Sequence, residues 1–376
     1  YRAAPKDCIS CPIASRCVTV ILFLVVSIAL TAILLSLVHP IVVAMSTPAD
    51  AVSGTVTYLT ICFIGIPFIT SYNIISSIFR GLGDSKSPMC FIATACAANI
   101  ALDYLFMGVL HLGPAGAALG TTLSQAISVV VSLTVILKRR SIVLKKSDFK
   151  PCRAVMGKIL GIGIPIAFQD GLIQVAFIII TIIANQRGLN DAAAVGIVEK
   201  VISFLFLVPS SMLSTVSALG AQNIGAGKPE RAIQTLRYAV MLAAGFGVLA
   251  SIVIQFTAEG IVSLFTDPST ADGAAVVRFG GQYLRGYIFD CIFAGIHFSF
   301  SGFFCACRKS GLSFLHNILA IVLMRVPGVY VTSKLFPATL LPMGLATAAG
   351  SLLSVVICLI AFGVIRRKST LVLVEE

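Results

Sequence analysis

Charged residues are scarce in this chain. They make up 11% of its 376 residues, whereas hydrophobic residues make up 58%. A soluble domain carries about 25% charged residues, so the composition excludes an ordinary water-soluble enzyme. Disorder requires low hydrophobicity and is excluded as well. The chain has no tryptophan, and its 15 acidic residues are outnumbered by 27 lysines and arginines, which gives a net charge of +12.

The excess positive charge does not indicate nucleic-acid binding, because the basic residues lie between apolar runs and not on one polar domain. Residues that could bind a metal ion are not clustered in the sequence. The 11 cysteines are scattered apart from one CxxC (8–11) and one CxC (305–307), and the four histidines lie far from one another. We therefore predict no metal site, no cofactor and no enzyme activity.

Long apolar runs take the place of charge. A membrane-spanning helix needs roughly 20 apolar residues, and ten segments meet this requirement. They are 18–38, 55–79, 89–110, 115–137, 157–185, 194–220, 233–257, 276–304, 312–335 and 341–365. Backbone in lipid must form its hydrogen bonds within its own segment, so the sequence predicts an all-α polytopic membrane protein with ten transmembrane helices.

Lysines and arginines orient these helices, because they are enriched in the short loops that face the cytoplasm. If the loop 138–158, with its eight basic residues, is cytoplasmic, alternation of the spans places 21 of the 27 basic residues on that side. We therefore predict a multi-pass protein of the cell membrane, the inner membrane of a prokaryote, with both termini in the cytoplasm.

The two halves of the sequence resemble each other. A shift of 228 residues lays the basic segment 138–141 on 366–369, and a shift of 225 pairs Phe79 with Phe304. Both halves end in a basic cytoplasmic segment and thus run in the same direction. They are expected to be related by an axis along the membrane normal, as in some two-lobed transporters.

This repeat predicts two lobes. Residues 1–140 form an N-terminal lobe with four of six helices, residues 141–156 a basic cytoplasmic linker, and residues 157–368 a C-terminal lobe with all six. Counterparts of the first two helices of the second lobe are therefore expected upstream of residue 1.

Several motifs resemble the multidrug and toxic compound extrusion (MATE) family. They are RGLGDSKSP (80–88), NIALD (99–103), GAA (116–118) and AQNIGAGKPER (221–231). The resemblance implies two six-helix lobes around a central cavity. It also implies a secondary active antiporter that exports amphipathic, often cationic organic compounds by alternating access, driven by inward Na⁺ or H⁺. The partners are then membrane lipid and small organic cations, and we expect a monomer.

Polar side chains in the N-terminal lobe form a candidate coupling site. Ionisable residues inside membrane spans are costly and functional by default. Asp103 lies in the middle of a span, and Asn99 lies four residues earlier on the same helix face. By the resemblance this pair contributes to a Na⁺ or proton site, with Thr121 and Asn73 as neighbouring polar positions. The alternative is that Asp103 is tied to Asn99 and only joins helices.

Acidic residues of the second half are candidates for coupling or for contact with substrate in the cavity. Asp170 lies beside Gln169 on the first span of that half, Asp290 lies near Tyr287 on the fourth, and Glu199 lies near the outer end of the second. Some members of the family place cation ligands on the first and fourth of these helices, about one turn from Asp170 and Asp290. The alternative is a role in packing within the lobe.

Two other functions fit the same architecture. A lipid-linked oligosaccharide flippase needs several intramembrane lysines or arginines for pyrophosphate, and only Lys200 and Arg325 lie inside spans. Arg325, two residues before Pro327, is expected to be a structural partner of a carbonyl or carboxylate and not a substrate ligand. The third possibility is a remnant that inserts into the membrane without transporting.

Overall fold

A computed structural model of the chain describes residues 12–44, 49–139 and 153–372. Almost all of these residues are helical, and none of them lies in a strand. Nine helical segments in the described part of the chain are long and apolar enough to cross a membrane, and a further apolar helix covers Leu22–Ser36. The prediction of an all-α polytopic membrane protein is therefore confirmed. The chain divides into two compact units, residues 1–159 (unit 1) and 160–376 (unit 2).

The described part of unit 1 contains five helices. They are α1 (Pro12–Ser36), α2 (Val38–Ala44), α3 (Ala49–Gly81), α4 (Lys86–Asp103) and α5 (Gly113–Arg139). α4 continues into a π-helical turn over Tyr104–Val109. α3 packs against α1 and α5, and α4 packs against α5. The Phe79 and Phe91 rings meet edge to face with their centroids 5.5 Å apart, and Ser128 of α5 donates a hydrogen bond to the Phe91 carbonyl at 3.1 Å.

Unit 2 contains the remaining helices. They are α6 (Arg153–Asn185), α7 (Leu189–Leu205), α8 (Leu207–Gly225), α9 (Pro229–Val262), α10 (Ala271–Tyr287), α11 (Phe289–Ala306), α12 (Ser310–Ala320), α13 (Val326–Leu335) and α14 (Leu341–Val372). α10 and α11 are largely buried, whereas no more than about a third of each other span of this unit is buried. α11 packs against α8, α9 and α14, and α10 packs against α7 and α14. The core of unit 2 therefore lies around α10 and α11.

Prolines interrupt two of the predicted spans of unit 2. The span 194–220 is divided into α7 and α8 at Phe206, and the span 312–335 contains a π-helical turn at Ile321–Arg325. Proline lacks an N–H, and its ring clashes with the carbonyl four residues earlier. Pro209 and Pro327 therefore remove the helical hydrogen bonds that the carbonyls of Leu205 and Leu323 would accept.

The same turn ends a helix in both halves. The N–H of Asp84 bonds to the Phe79 carbonyl at 3.0 Å, and the N–H of Lys309 bonds to the Phe304 carbonyl at 2.8 Å. The preceding residues, Gly83 and Arg308, both have a positive φ, of 85° and 57°. All three pairs are related by the shift of 225 residues found in the sequence, which supports the internal repeat.

Two helices of the core make direct backbone contact. A β-carbon at Gly344 of α14 would lie 2.5 Å from the Tyr283 carbonyl oxygen and 2.7 Å from the Tyr287 nitrogen on α10. Gly286 of α10 faces the Leu341 carbonyl of α14 in the same way. Only residues without a side chain permit this approach, which holds the tyrosines of α10 in the middle of unit 2.

Candidate functional site

The motif 80–88 builds the turn that starts α4. Oδ1 of Asp84 accepts hydrogen bonds from the backbone N–H groups of Lys86 and Ser87, both at 3.1 Å, and Oδ2 accepts the Ser87 hydroxyl at 2.6 Å. A carboxylate in this place satisfies N–H groups that have no partner within the helix. Gly83 supplies the left-handed residue of the turn. The motif thus sets the start and direction of the helix that carries Asp103.

Asp103 lies at the junction of α4 with the π-helical turn. Within the described part of the chain, its Oδ1 atom is buried without a hydrogen-bond partner, and so is Nδ2 of Asn99 one turn earlier. A β-carbon at Gly120 of α5 would overlap Asp103 Oδ1. The carboxylate therefore occupies space that the missing side chain of Gly120 leaves open.

The structure does not link the other two predicted coupling residues to this carboxylate. Asn73 of α3 and Thr121 of α5 are exposed. Each donates its side-chain hydrogen bond within its own helix, to the carbonyls of Ile69 at 2.9 Å and Ala117 at 3.1 Å. Thr121 directly follows Gly120, the glycine that faces Asp103.

Gln169 and Asp170 are adjacent in sequence and have different environments. Gln169 is buried, and its Oε1 accepts the Ser313 hydroxyl of α12 at 2.7 Å, whereas Asp170 is exposed. Neighbouring residues of a helix point in different directions. Gln169 therefore joins two helices of unit 2, whereas the side chain of Asp170 is exposed.

Glu199 is half-buried on α7. Its Oε1 accepts a hydrogen bond from the Thr181 hydroxyl of α6 at 3.4 Å. Lys200, the next residue, is exposed. Glu199 thus keeps most of its hydrogen-bonding capacity, since a carboxylate has about four lone-pair sites.

Asp290 is fully buried on α11 and forms an ion pair with Arg325, through Oδ2 and Nη2. The expectation that Arg325 is a partner of a carboxylate is confirmed. The hydroxyl groups of Tyr287 and Tyr283 are buried without a hydrogen-bond partner among the described residues, and the two rings lie 5.5 Å apart. The structure thus brings Asp290 and Tyr287 into one buried region of unit 2, as their spacing predicts.

A cavity of about 60 Å³ lies next to this ion pair. Its polar lining consists of His297, Asn317, Arg325, Ser351 and Ser354, and its aromatic lining of Phe177, Phe206 and Phe298. Apart from Arg325, none of these residues was assigned a role from the sequence. Among them, Ser351 and Ser354 lie three residues apart on α14, and this helical spacing of polar residues in an apolar span is the one signal by which the sequence could have indicated them.

A buried histidine lies behind the cavity. Nε2 of His316 is 2.8 Å from the Ser301 hydroxyl, and Nδ1 is 2.6 Å from the Ser354 hydroxyl. The nearby ring of His297 lies 5.6 Å from that of His316, and the Nδ1 atom of His297 has no hydrogen-bond partner in the described part of the chain. No three His, Cys, Asp or Glu residues among those described are grouped as they would be to hold a metal ion.

Comparison with known proteins agrees with this architecture. The MatE family model matches residues 15–105 and 165–331. The probable multidrug resistance protein YpnP of Bacillus subtilis is 30% identical over 306 residues, which cover 81% of this chain and 66% of the relative. A FAD transporter of Shewanella oneidensis is 27% identical over 282 residues, covering 72% of this chain and 60% of the relative. The chain thus spans about two thirds or less of the length of these relatives.

The fold is shared with solved structures. The crystal structure of MATE in complex with MaL6 matches 95% of this chain and 79% of that chain, with a TM-score of 0.87 and 20% sequence identity. The resemblance inferred from the motifs is therefore confirmed. Since the family model matches more than half of its residues, the chain belongs to the MatE family of multidrug and toxic compound extrusion (MATE) proteins, which are membrane transporters and not enzymes.

Proposed function

We propose that this chain exports amphipathic organic compounds, including organic cations, in exchange for inward Na⁺ or H⁺. It acts as a monomer in the cell membrane by alternating access, needs no cofactor other than the coupling ion, and has both termini in the cytoplasm. The distribution of lysine and arginine supports this orientation, and the names of the relatives support drug export.

The observation that carries the proposal is the unpartnered carboxylate of Asp103. A charged group in a membrane interior is costly unless it is neutralised. Asp103 Oδ1 has no hydrogen-bond partner among the described residues, and Asn99 beside it has a free amide N–H group. A proton or a Na⁺ ion neutralises such a carboxylate, and the amide oxygen of Asn99 is a second oxygen ligand for Na⁺.

Coupling follows from this neutralisation. If the ion favours one conformation of the transporter and the substrate favours the other, binding of each weakens binding of the other by the same factor. Release of the ion from Asp103 to the cytoplasm and of the substrate to the outside then become steps of one cycle. In this cycle the chain exports the drug by binding and releasing it and does not react with it chemically.

Two rival functions are less well supported. An oligosaccharide flippase needs several basic groups for pyrophosphate, whereas the cavity in unit 2 has Arg325 alone among lysines and arginines in its lining. A remnant that does not transport would have no need for the Asp103 carboxylate, whose Oδ1 lies next to Gly120 without a hydrogen-bond partner among the described residues. The relative from Shewanella is named for FAD, an anion, so both charge classes belong in a substrate screen.

Asp103→Asn tests the proposal. The chain is reconstituted in liposomes, and efflux of ethidium is followed by fluorescence under an imposed Na⁺ or proton gradient. We expect efflux with the unchanged chain and its loss in Asp103→Asn. The matched control is Asp267→Asn, since Asp267 lies in an exposed loop outside the spans, and it should transport normally.

Two results would contradict the proposal. No efflux by the unchanged chain under either gradient would favour the remnant. If the Asp103→Asn variant shows gradient-driven efflux at the same rate as the Asp267→Asn variant, Asp103 has no role in coupling.

A further inference from the structure

The cavity in unit 2 presents a cation and no carboxylate among the described residues that line it. Arg325 contributes its guanidinium, whereas Asp290 lies outside the lining and is fully buried. Glu199 also lies outside the lining. The cavity surface thus carries a positive group, whereas a site that binds an organic cation would carry a negative one.

Two buried nitrogen atoms at this cavity lack hydrogen-bond partners. Nε of Arg325 has none among the described residues, although Nη2 of the same side chain bonds to Asp290. Nδ1 of His297 has none either, and the His297 side chain is only 4% exposed. Guanidinium N–H groups only donate hydrogen bonds, and imidazole Nδ1 donates in one of its tautomers. Both therefore suit an oxygen acceptor from a ligand.

A second cation is disfavoured in this place. Asp290, whose Oδ1 is buried without a hydrogen-bond partner among the described residues, lies outside the cavity lining, so the charged group that the cavity presents is Arg325. Repulsion between two cations is strong where the dielectric constant is low. An anion, in contrast, is attracted by the guanidinium and accepts from its free Nε–H group. Charge-assisted hydrogen bonds of this kind are roughly twice as strong as neutral ones.

The size and the lining of the cavity further restrict the kind of ligand that can bind there. A volume of about 60 Å³ is far below the roughly 300–1,000 Å³ of sites that enclose a drug-sized molecule, so it takes one group of a larger compound. Phe177, Phe206 and Phe298 form the aromatic walls, and Arg325 lies 5.8 Å from the centre of the Phe177 ring. Aromatic rings next to a cation favour a flat, electron-rich ligand.

We propose that this cavity binds the carboxylate or phosphate group of an aromatic substrate, and that Arg325 selects for its negative charge. The proposal rests on the transport function and extends its substrates from amphipathic cations to aromatic anions. Arg325 supplies the charge, its free Nε–H group and Nδ1 of His297 orient the oxyanion, and Asp290 holds the guanidinium in place.

A pair of dyes with the same ring system tests this selectivity. Fluorescein is an anion, and tetramethylrhodamine methyl ester is a cation built on the same xanthene ring. Binding of each to the purified chain in an uncharged detergent is measured by fluorescence polarisation. Detergent without lipid also excludes lipid phosphate as the bound group. We expect fluorescein to bind at least about tenfold more tightly than the rhodamine, and benzoate, but not benzamide, to displace it.

The informative variant is Asp290→Asn combined with Arg325→Gln, because removal of only one member would leave a buried unpaired charge. We expect fluorescein affinity to fall at least about tenfold and rhodamine affinity to stay within about threefold. The matched control is Glu259→Gln combined with Arg285→Gln, which removes a partly exposed ion pair of the same unit, and it should bind both dyes normally.

Three results would overturn the inference. The first is an unchanged affinity for fluorescein in the Asp290/Arg325 variant. The second is a loss of fluorescein affinity in the Glu259/Arg285 control as large as in that variant. The third is an equal loss of affinity for both dyes in the Asp290/Arg325 variant. Binding is measured without a gradient, so anion binding that persists in a chain without efflux would contradict only the transport function. Gradient-driven ethidium efflux without anion binding would contradict only this inference.

Discussion

The Asp103 carboxylate of α4 lies against Gly120 of α5, in the space where any other residue would place a β-carbon. A membrane carboxylate without a hydrogen-bond partner is expensive, and here the neighbouring helix makes room for it instead of contributing a ligand. This arrangement leaves an oxygen atom of Asp103 for an exchangeable ion. It also makes position 120 sensitive to the smallest substitution.

Gly120→Ala should impair coupling without removing the carboxylate. The added methyl group must displace Asp103 or separate α4 from α5, and overpacking of this kind costs about 1–3 kcal/mol. We expect gradient-driven ethidium efflux to fall at least about tenfold. Gly245→Ala is the control, because no atom lies within 4 Å of a β-carbon at that helical position. Equal efflux from the two variants would show that Asp103 does not depend on this contact.

Gly83→Ala should destabilise unit 1. Gly83 has a φ of 85°, and a left-handed conformation costs other residues roughly 1–2 kcal/mol. We expect the thermal unfolding midpoint, measured by circular dichroism in detergent, to fall. Gly81→Ala, two residues earlier and still helical with no atom within 4 Å of the added carbon, should leave the midpoint unchanged or raise it. A lower midpoint for Gly81→Ala than for Gly83→Ala would refute the role of the turn.

Arg187→Gln should be more destabilising than Arg285→Gln. Arg187 is buried and bonds to Asp191 at 2.6 Å and to the carbonyls of Ser333 at 2.8 Å and Pro337 at 2.9 Å. Loss of one partner of a buried ion pair costs about 3–5 kcal/mol. Arg285 is one-third exposed beside Glu259, and exposed pairs contribute about 0–1 kcal/mol. Thermal unfolding of both variants provides the comparison, and similar midpoints would contradict this ranking.

His316→Leu should destabilise unit 2, and a further substitution should partly restore it. The substitution removes the hydrogen-bond partner of Ser301 and the ring partner of Ser354. A buried hydroxyl without a partner costs about 1–3 kcal/mol, whereas removal of both sides of a hydrogen bond is nearly neutral. We therefore expect Ser301→Ala, added to His316→Leu, to raise the unfolding midpoint again, whereas Ser354 keeps the backbone carbonyl of residue 316 as a partner at 3.3 Å. A further decrease on adding Ser301→Ala would mean that the Ser301 hydroxyl has another partner.

The spans, the fold class and the family were predictable from the sequence. A run of about 20 apolar residues has one economical structure in lipid, so composition and length define the helices without knowledge of their neighbours. The turn at 80–88 was predictable for the same local reason, because glycine and an acidic residue at a helix boundary satisfy needs of the backbone itself. Asp103 and Asn99 were predictable as a pair because four residues make a helical turn.

The partners of these residues were decided by the tertiary structure alone. Asp290 and Arg325 lie 35 positions apart and meet only because α11 and the turn before α13 pack against α14. The cavity likewise combines side chains from α6, α11 and α14, and the glycine at position 120 gains its importance from a carboxylate on another helix. Apolar periodicity determines that a helix spans the membrane, but which of its faces meets which neighbour depends on how side chains of several helices fit together.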